Sequence, residues 1–416
     1  MSLVTFLCRA NPAPSALVKR RLLSLSAPLL QWTPRSSPFA TRDDDEQHSV
    51  KLKVQGLTLP QKHALARQEI VTLLQTAERR NVTQPAELVR ALTDVALIYL
   101  TGGDAFLAAP FFEKALSLAR GEFQATAPDA AQLSLLTVSN ASVDLFLMCL
   151  RNVALVRDRE RSHELVVQAL TQSIDLLRKL PPTLLVGARG PSEPPVAVAS
   201  LLCDQLEHCA VTNNVMGFSQ RAIDALDAAI AMRLDPVSPA FSKSLLGHAY
   251  NLRGRVQRDA GRLSHAFDSH VKAHRAFAQA EARLEAAISR FMVAEVQFLA
   301  ADYVEAKRHA RVAIGKLEQL FPDKEHPALA GAYALACKIH DVTGGIVIAH
   351  GYKEQEIAVV EALLRRRHGE VGEHAKVVQL RAELAALAAR VKQRSYENQL
   401  RYRNKRDEKK ESEDLP

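Results

Sequence analysis

The segment YNLRGRVQRDAGRLSHAFDSHVKA, Tyr250 to Ala273, most narrows what this chain can fold into. It reads as helix, glycine turn, helix. Tyr250, Gly254 and Gln257 share one helical stripe, Gly261 supplies the turn, and Leu263, Ala266, His270 and Ala273 form the facing stripe of the second helix. The small side chains of Ala266 and Ala273 let the two helices approach closely. Small residues seven apart recur at Ala108/Ala115, Ser162/Ala169, Ala222/Ala229, Ala306/Ala313 and, more weakly, Ala349/Glu356, with first members 54, 60, 44, 40 and 43 residues apart along the chain. A hairpin repeated in this way predicts a stacked array in which each unit buries its apolar face against its neighbours.

Composition agrees. Aromatic residues make up only 5% of the 416, and Ala and Leu, which lose little rotamer freedom on a helix, dominate the apolar 47%. The pattern of large, small and large positions resembles the tetratricopeptide (TPR) motif, departing from it at Gln257 and His270. The C-terminal spacing and the segment FPDKEHPALAGAYALACKIHDVTGG resemble the longer variant found in kinesin light chains, with His326-Pro327 ahead of a first helix. What the resemblance implies is an all-α, TPR-like α-solenoid of about six helical hairpins that works by binding a protein or peptide, without cofactor or catalysis.

The array is expected to divide in two. LPPTLLVGARGPSEPPV, Leu180 to Val196, cannot continue a helix because of its prolines and glycines, so residues 181–195 form a loop between an N-terminal sub-array at 60–180 and a C-terminal one at 196–373. Residues 374–394 place Val377, Leu380, Leu384, Leu387 and Val391 on one stripe, as a capping helix would. Residues 395–416 are a charged tail expected to project or be disordered.

The net charge of +8 is not spread evenly. Residues 1–42 hold Arg9, Lys19, Arg20, Arg21, Arg35 and Arg42 with no acid and six serines; residues 390–416 carry nine bases against six acids; the body between them sums to −1. A basic, acid-free, amphipathic opening such as SALVKRRLLSL reads as a mitochondrial transit peptide with the matrix as destination, and Asp43-Asp44-Asp45-Glu46 opens a linker over 43–59. The layout of transit peptide, divergent repeats, mid-array insertion and terminal helix is similar to that of TPR assembly factors of respiratory complexes.

Motifs for chemistry are missing. The five cysteines form no CxxC pair, no GxSxG, GxGxxG or GxxxxGK[ST] is present, and His270 and His274 lack the glutamate of HExxH, so packing accounts for both histidines. Gly102-Gly103 and Gly344-Gly345 are turn residues. By resemblance to TPRs, the leftover face of the first helix lines a concave groove: His248, Asn251, Arg255 and Arg258, followed in the next repeat by Phe291, Met292, Glu295 and Phe298. Basic beside apolar suits a ligand with acidic and aromatic anchors. Contact of these residues with another helix of the same chain is the competing reading. Nine bases with Tyr396 and Tyr402 interleaved, notably Arg401, Tyr402, Arg403, Lys405 and Arg406, keep RNA open as an alternative partner in a mitochondrial ribosome or RNA-processing complex.

Overall fold

The computed structural model describes residues 85–101, 104–126, 133, 134, 136, 141–187, 195–368 and 374–413, with isolated positions at 61, 64, 65 and 68, and side chains as far as Tyr402. Residues 1–42 and 43–59, read above as a transit peptide and a linker, and Gly102-Gly103 lie outside the described residues. Thirteen helices are described: α1 Pro85–Thr101, α2 Ala105–Thr126, α3 Ala141–Arg159, α4 His163–Leu177, α5 Val198–Val215, α6 Ser219–Leu234, α7 Lys243–Asp259, α8 Leu263–Gln279, α9 Arg283–Leu299, α10 Tyr303–Leu320, α11 Pro327–Val342, α12 Ile346–His368 and α13 Ala375–Glu413. Consecutive helices from α1 to α12 form six hairpins, and α13 follows as the terminal helix.

Every hairpin turns in three residues. Among those described, the middle residue has a positive φ: Arg161 (59°), Gly217 (85°), Gly261 (75°), Ala301 (63°) and Gly344 (78°). The third returns its N–H to the carbonyl five residues back, as Asp104 to Tyr99, Ser162 to Arg157, Phe218 to Asn213, Arg262 to Gln257, Asp302 to Gln297 and Gly345 to His340, over 2.7–3.0 Å. This satisfies carbonyls at the end of each first helix. Ala301 holds the left-handed conformation against its Cβ. Ala301→Gly is therefore expected to stabilise by ~1 kcal/mol, read as a raised melting temperature.

The constant turn fixes a constant register. The fourth residue of each second helix is Ala108, Val166, Ala222, Ala266, Ala306 or Ala349, each 0% exposed, and the residue seven further on is Ala115, Ser173, Ala229, Ala273, Ala313 or Glu356, all buried. Twelve residues before each fourth position stands Ala96, Ala154, Ala210, Gly254, Ala294 or Cys337, also buried. The pair in the second hairpin is thus Val166/Ser173; Ser162/Ala169 is four residues out of register, with Ser162 in the turn itself.

The helices fall into two compact units, one ending at Ala286 and the other beginning at Ala287. In the first, α4 packs on α5, and one apolar cluster runs from Val89 to Ala240. The Pro-rich segment therefore does not divide the array. Its described arms are anchored, with Leu180, Leu184 and Val186 buried and two short strands, β1 Leu185–Val186 and β2 Val196–Ala197, paired antiparallel.

In the second unit His326 caps α11, its Nδ1 accepting from the Ala328 N–H at 3.1 Å while Pro327 takes the first turn, where no N–H is needed. Helix α13 lies on α12, with Val377, Leu380 and Leu387 buried and Leu384 and Val391 half-buried. Lys353 of α12 donates to Glu356 at 2.7 Å and across to Glu383 of α13 at 2.9 Å. The helix does not stop at Arg394. It continues to Glu413, so cap and tail differ in burial and not in secondary structure.

Candidate protein-binding surface

The two predicted groove quartets belong to different units. In the first unit, His248 is half-buried, with its ring edge-on to Phe277 of α8 at 4.9 Å, and burial lowers its pKa. Asn251 accepts from Nδ1–H of His270 at 3.0 Å. Both side chains therefore serve the α7–α8 contact. Arg255 is half-buried, and Arg258, 11% exposed, is ion-paired with Asp259 at 2.9 Å. In the second unit Phe291 is 3% exposed and sits 3.8 Å from where a Cβ on Gly331 would stand, and Glu295 is 4% exposed. These two are core residues, which corrects the expectation that they line a surface. Met292 is half-buried, as is Phe298, whose ring lies 5.9 Å from that of Tyr303.

His270 is packed, not poised. It is 1% exposed, its ring lies on Gly254, and burial aided by Arg258 and Arg255 holds its pKa down at about 3. His274 donates Nδ1–H to the Ala286 carbonyl at 2.9 Å. The two Nδ1 atoms are thus engaged in separate contacts.

A feature the motif reading did not identify is a buried charge trio. Asp204 and Glu207, one helical turn apart on α5, converge on Arg233 of α6: Nη2 donates to Asp204 at 3.1 Å and Nε to Glu207 at 2.9 Å, with all three residues at most 4% exposed. Desolvation pushes the Glu207 pKa up to about 7, against the pull of Arg233. In repeat register Asp204 and Glu207 are the counterparts of His248 and Asn251, so the amino-terminal halves of α5 and α7 both turn inward at these positions. Acids inside LLCDQLEHCA were the available signal.

The carboxy-terminal halves differ. Val211 and Val215 of α5 are 41% and 58% exposed, and Arg255 is the α7 counterpart of Val211. Asn214 donates to Asp259 at 3.0 Å, tying the two helix ends together. Phe218, in the turn after α5, is 44% exposed and lies under the guanidinium of Arg221, 5.0 Å from its ring centre. An apolar patch bordered by arginine can bury a partner's apolar anchor and pair its carboxylate. A cleft of about 220 Å³ near α2, α3 and α4 is less open to a partner, because Arg157 bridges Glu113 and Glu160 and Arg120 bonds Gln172 across it.

The fold is that of a TPR-like α-solenoid. Among solved structures the chain is similar to a signal-transduction ATPase with numerous domains and a tetratricopeptide-repeat sensor from Pyrococcus horikoshii, at 12% identity and TM-score 0.51, over 85% of this chain and 48% of that one. Aspartyl phosphate phosphatase F from Bacillus subtilis matches at 12% identity and TM-score 0.46, over 90% and 81% of the two chains. BtubC from P. vanneervenii matches at 14% identity and TM-score 0.44, over 64% and 92%. No protein-family model and no curated protein matches the sequence.

Proposed function

We propose that this chain is a mitochondrial protein-binding adaptor, of the kind that serves assembly of a respiratory or other matrix complex, and that it holds its partner on the carboxy-terminal halves of α5 and α7. The observation that carries the site is the change along those helices: Asp204, Glu207, His248 and Asn251 are taken up by internal contacts, whereas Val211 and Val215 stand exposed in the row that Arg255 continues. A partner segment with an apolar side chain next to a carboxylate fits that chemistry. The basic, acid-free first 42 residues support the mitochondrial address.

A second reading is favoured by α13. Arg401 and Tyr402 stand exposed on a helix, Tyr402 at 78%, with a cation and a stacking ring adjacent. The side chains of Arg403, Lys405 and Arg406 lie outside the described residues.

One experiment separates the readings: affinity purification from mitochondria of the wild-type chain and of Val215→Asp with Arg255→Glu, each with and without RNase. Partner recovery is expected to survive RNase and to fall about tenfold or more in the variant, the scale of losing one central contact, with helicity and melting temperature close to wild type. Recovery lost to RNase favours the RNA reading. Recovery unaffected by the variant moves the binding surface elsewhere, and a tagged chain absent from mitochondria defeats the address.

A further inference from the structure

Residues 306–317 of α10 include Lys307, Arg308, His309, Arg311 and Lys316 and no acid. The acids that flank them are taken: Glu305 pairs with Arg308, and Glu318 accepts from the Tyr333 hydroxyl at 2.6 Å. Lys307, half-buried, and Arg311, exposed, pair with no carboxylate among the described residues. At i and i+4 on one helix they repel each other. Both line a small cleft together with Ile339 and His340 of α11 and Tyr352 of α12, where the His340 and Tyr352 rings lie 5.7 Å apart. Asp341, next to His340 in the chain, is held by Arg390 at 2.6 Å. Burial, with the charges of Lys307 and Arg311, lowers the His340 pKa.

Repeat register shows that this junction is filled unlike the others. Arg311 stands five residues after Ala306, and His340 nine before Ala349. The same two positions in the first unit hold Glu113 and Arg157, which form an ion pair. Elsewhere along the array they hold Thr171 and Asn213, Asp227 and Gln257, or Val271 and Gln297. Only the last junction sets two basic residues there, with Lys307 as a third.

Unneutralised cations converging on one cleft favour an anion, and the size of the cleft selects its form. The free space of about 10 Å³ admits one oxygen-sized group, so a ligand enters by a compact charged head and keeps its remainder outside. A phosphate monoester brings a charge of about −1.5 to −2 and three acceptor oxygens to a single point. Nucleic acid spreads single charges along a strand, which suits a row of cations. Exposed ion pairs are weak in water, so the rest of the ligand needs a hold of its own. Val304, 77% exposed, supplies an apolar one, a single turn before Lys307 on the same helical face.

We propose that the cleft of α10, α11 and α12 binds the phosphoryl group of a phosphorylated serine or threonine on a partner protein, with Lys307 and Arg311 on its oxygens and an apolar neighbour of that residue on Val304. Binding at this site is then switched by phosphorylation of the partner.

The test uses the full chain and a fluorescent peptide with a central phosphoserine between leucines. Anisotropy should show it binding about tenfold or more tightly than the same peptide with serine, the scale of one charge-assisted contact. Lys307→Gln with Arg311→Gln should abolish that preference, with helicity unchanged and the melting temperature at or above wild type, because a like-charge pair is relieved. Inorganic phosphate should compete, and should move the NMR signals of the His340 ring, assigned by their absence in His340→Gln. Equal binding of the two peptides, or a preference that survives the double variant, overturns the proposal. So does inorganic phosphate that moves the His340 signals without any preference for the phosphorylated peptide, which leaves a free-anion site only. A single-stranded RNA oligonucleotide that binds more tightly than the phosphopeptide, and is lost in the double variant, overturns it by assigning the cations to nucleic acid.

Discussion

Replacing Arg233 by methionine is expected to destabilise the first unit by ~3–5 kcal/mol, a large share of the ~5–15 kcal/mol that holds a domain together. Methionine fills much of the same volume, so the loss comes from charge. Arg233 is 0% exposed and is the cation both Asp204 and Glu207 reach; without it two carboxylates remain in a site closed to water. The pH dependence gives an independent check. Glu207 has its folded pKa raised from 4.5 to about 7, so its contribution is fully present below 4.5 and is lost as pH rises through 7. Removal of the arginine raises that value further, because the pull that opposes desolvation is gone. The variant should therefore recover toward wild-type stability as pH is lowered from 8 to 5, measured by urea melts across that range. Replacing all three charges together, with leucine at 204 and 207 and methionine at 233, should restore most of the loss, because well-packed apolar groups match a buried ion cluster. A pH-independent deficit in Arg233→Met would mean that the trio is not closed to solvent.

Much of the fold was legible because the repeat depends on local rules. Small residues mark close helix contacts, glycine marks left-handed turns, and both survive in Gly217, Gly261 and Gly344. The register slipped where those marks fail. In the second hairpin the left-handed position is Arg161, and the small pair is Val166 and Ser173, so neither turn nor seam carries its usual residue. The charged segment after Arg394 misled in the opposite sense. Losing its apolar stripe suggested a break, yet Arg, Lys, Gln and Glu are good helix formers and no Pro or Gly interrupts Ala375 to Glu413.

The site was less legible than the fold. Repeat register identifies which side of a first helix is left after hairpin packing, but not whether another element then covers it. His248 and Asn251 are engaged by Phe277 and His270, residues about 20 to 30 positions away in sequence. Asp204 and Glu207 are engaged by Arg233 at a similar distance along the chain. Such pairings depend on the course of the second helix, which apolar periodicity does not specify.

Gly254→Ala should destabilise the first unit by ~1–3 kcal/mol, although in an ordinary helix the same change stabilises by up to ~1 kcal/mol. The sign reverses because of one ring. A Cβ at 254 would stand 2.6 Å from Cε1, 2.7 Å from Nε2 and 2.9 Å from Cδ2 of His270, which is 1% exposed and tethered through Nδ1 to Asn251. The ring can neither tilt into solvent nor keep its hydrogen bond while yielding. Truncating it should therefore convert the effect: in a His270→Ala background the alanine at 254 enters vacated space, and Gly254→Ala becomes neutral or stabilising. The coupling in that double-mutant cycle should exceed ~1 kcal/mol. The same histidine sets part of the acid response. Its folded pKa of about 3 lies below the ordinary 6.5, so its contribution is present above 6.5 and lost as pH falls toward 3. Glu207 acts in the opposite sense between 4.5 and 7, so the two partly cancel in the wild type. Comparing wild type with His270→Ala isolates the histidine: acidification from pH 7 to 5 should cost the wild type more, by ~1–2 kcal/mol, measured by urea melts. A Gly254→Ala protein as stable as wild type, with no coupling to residue 270, would show that the ring does not pack on α7.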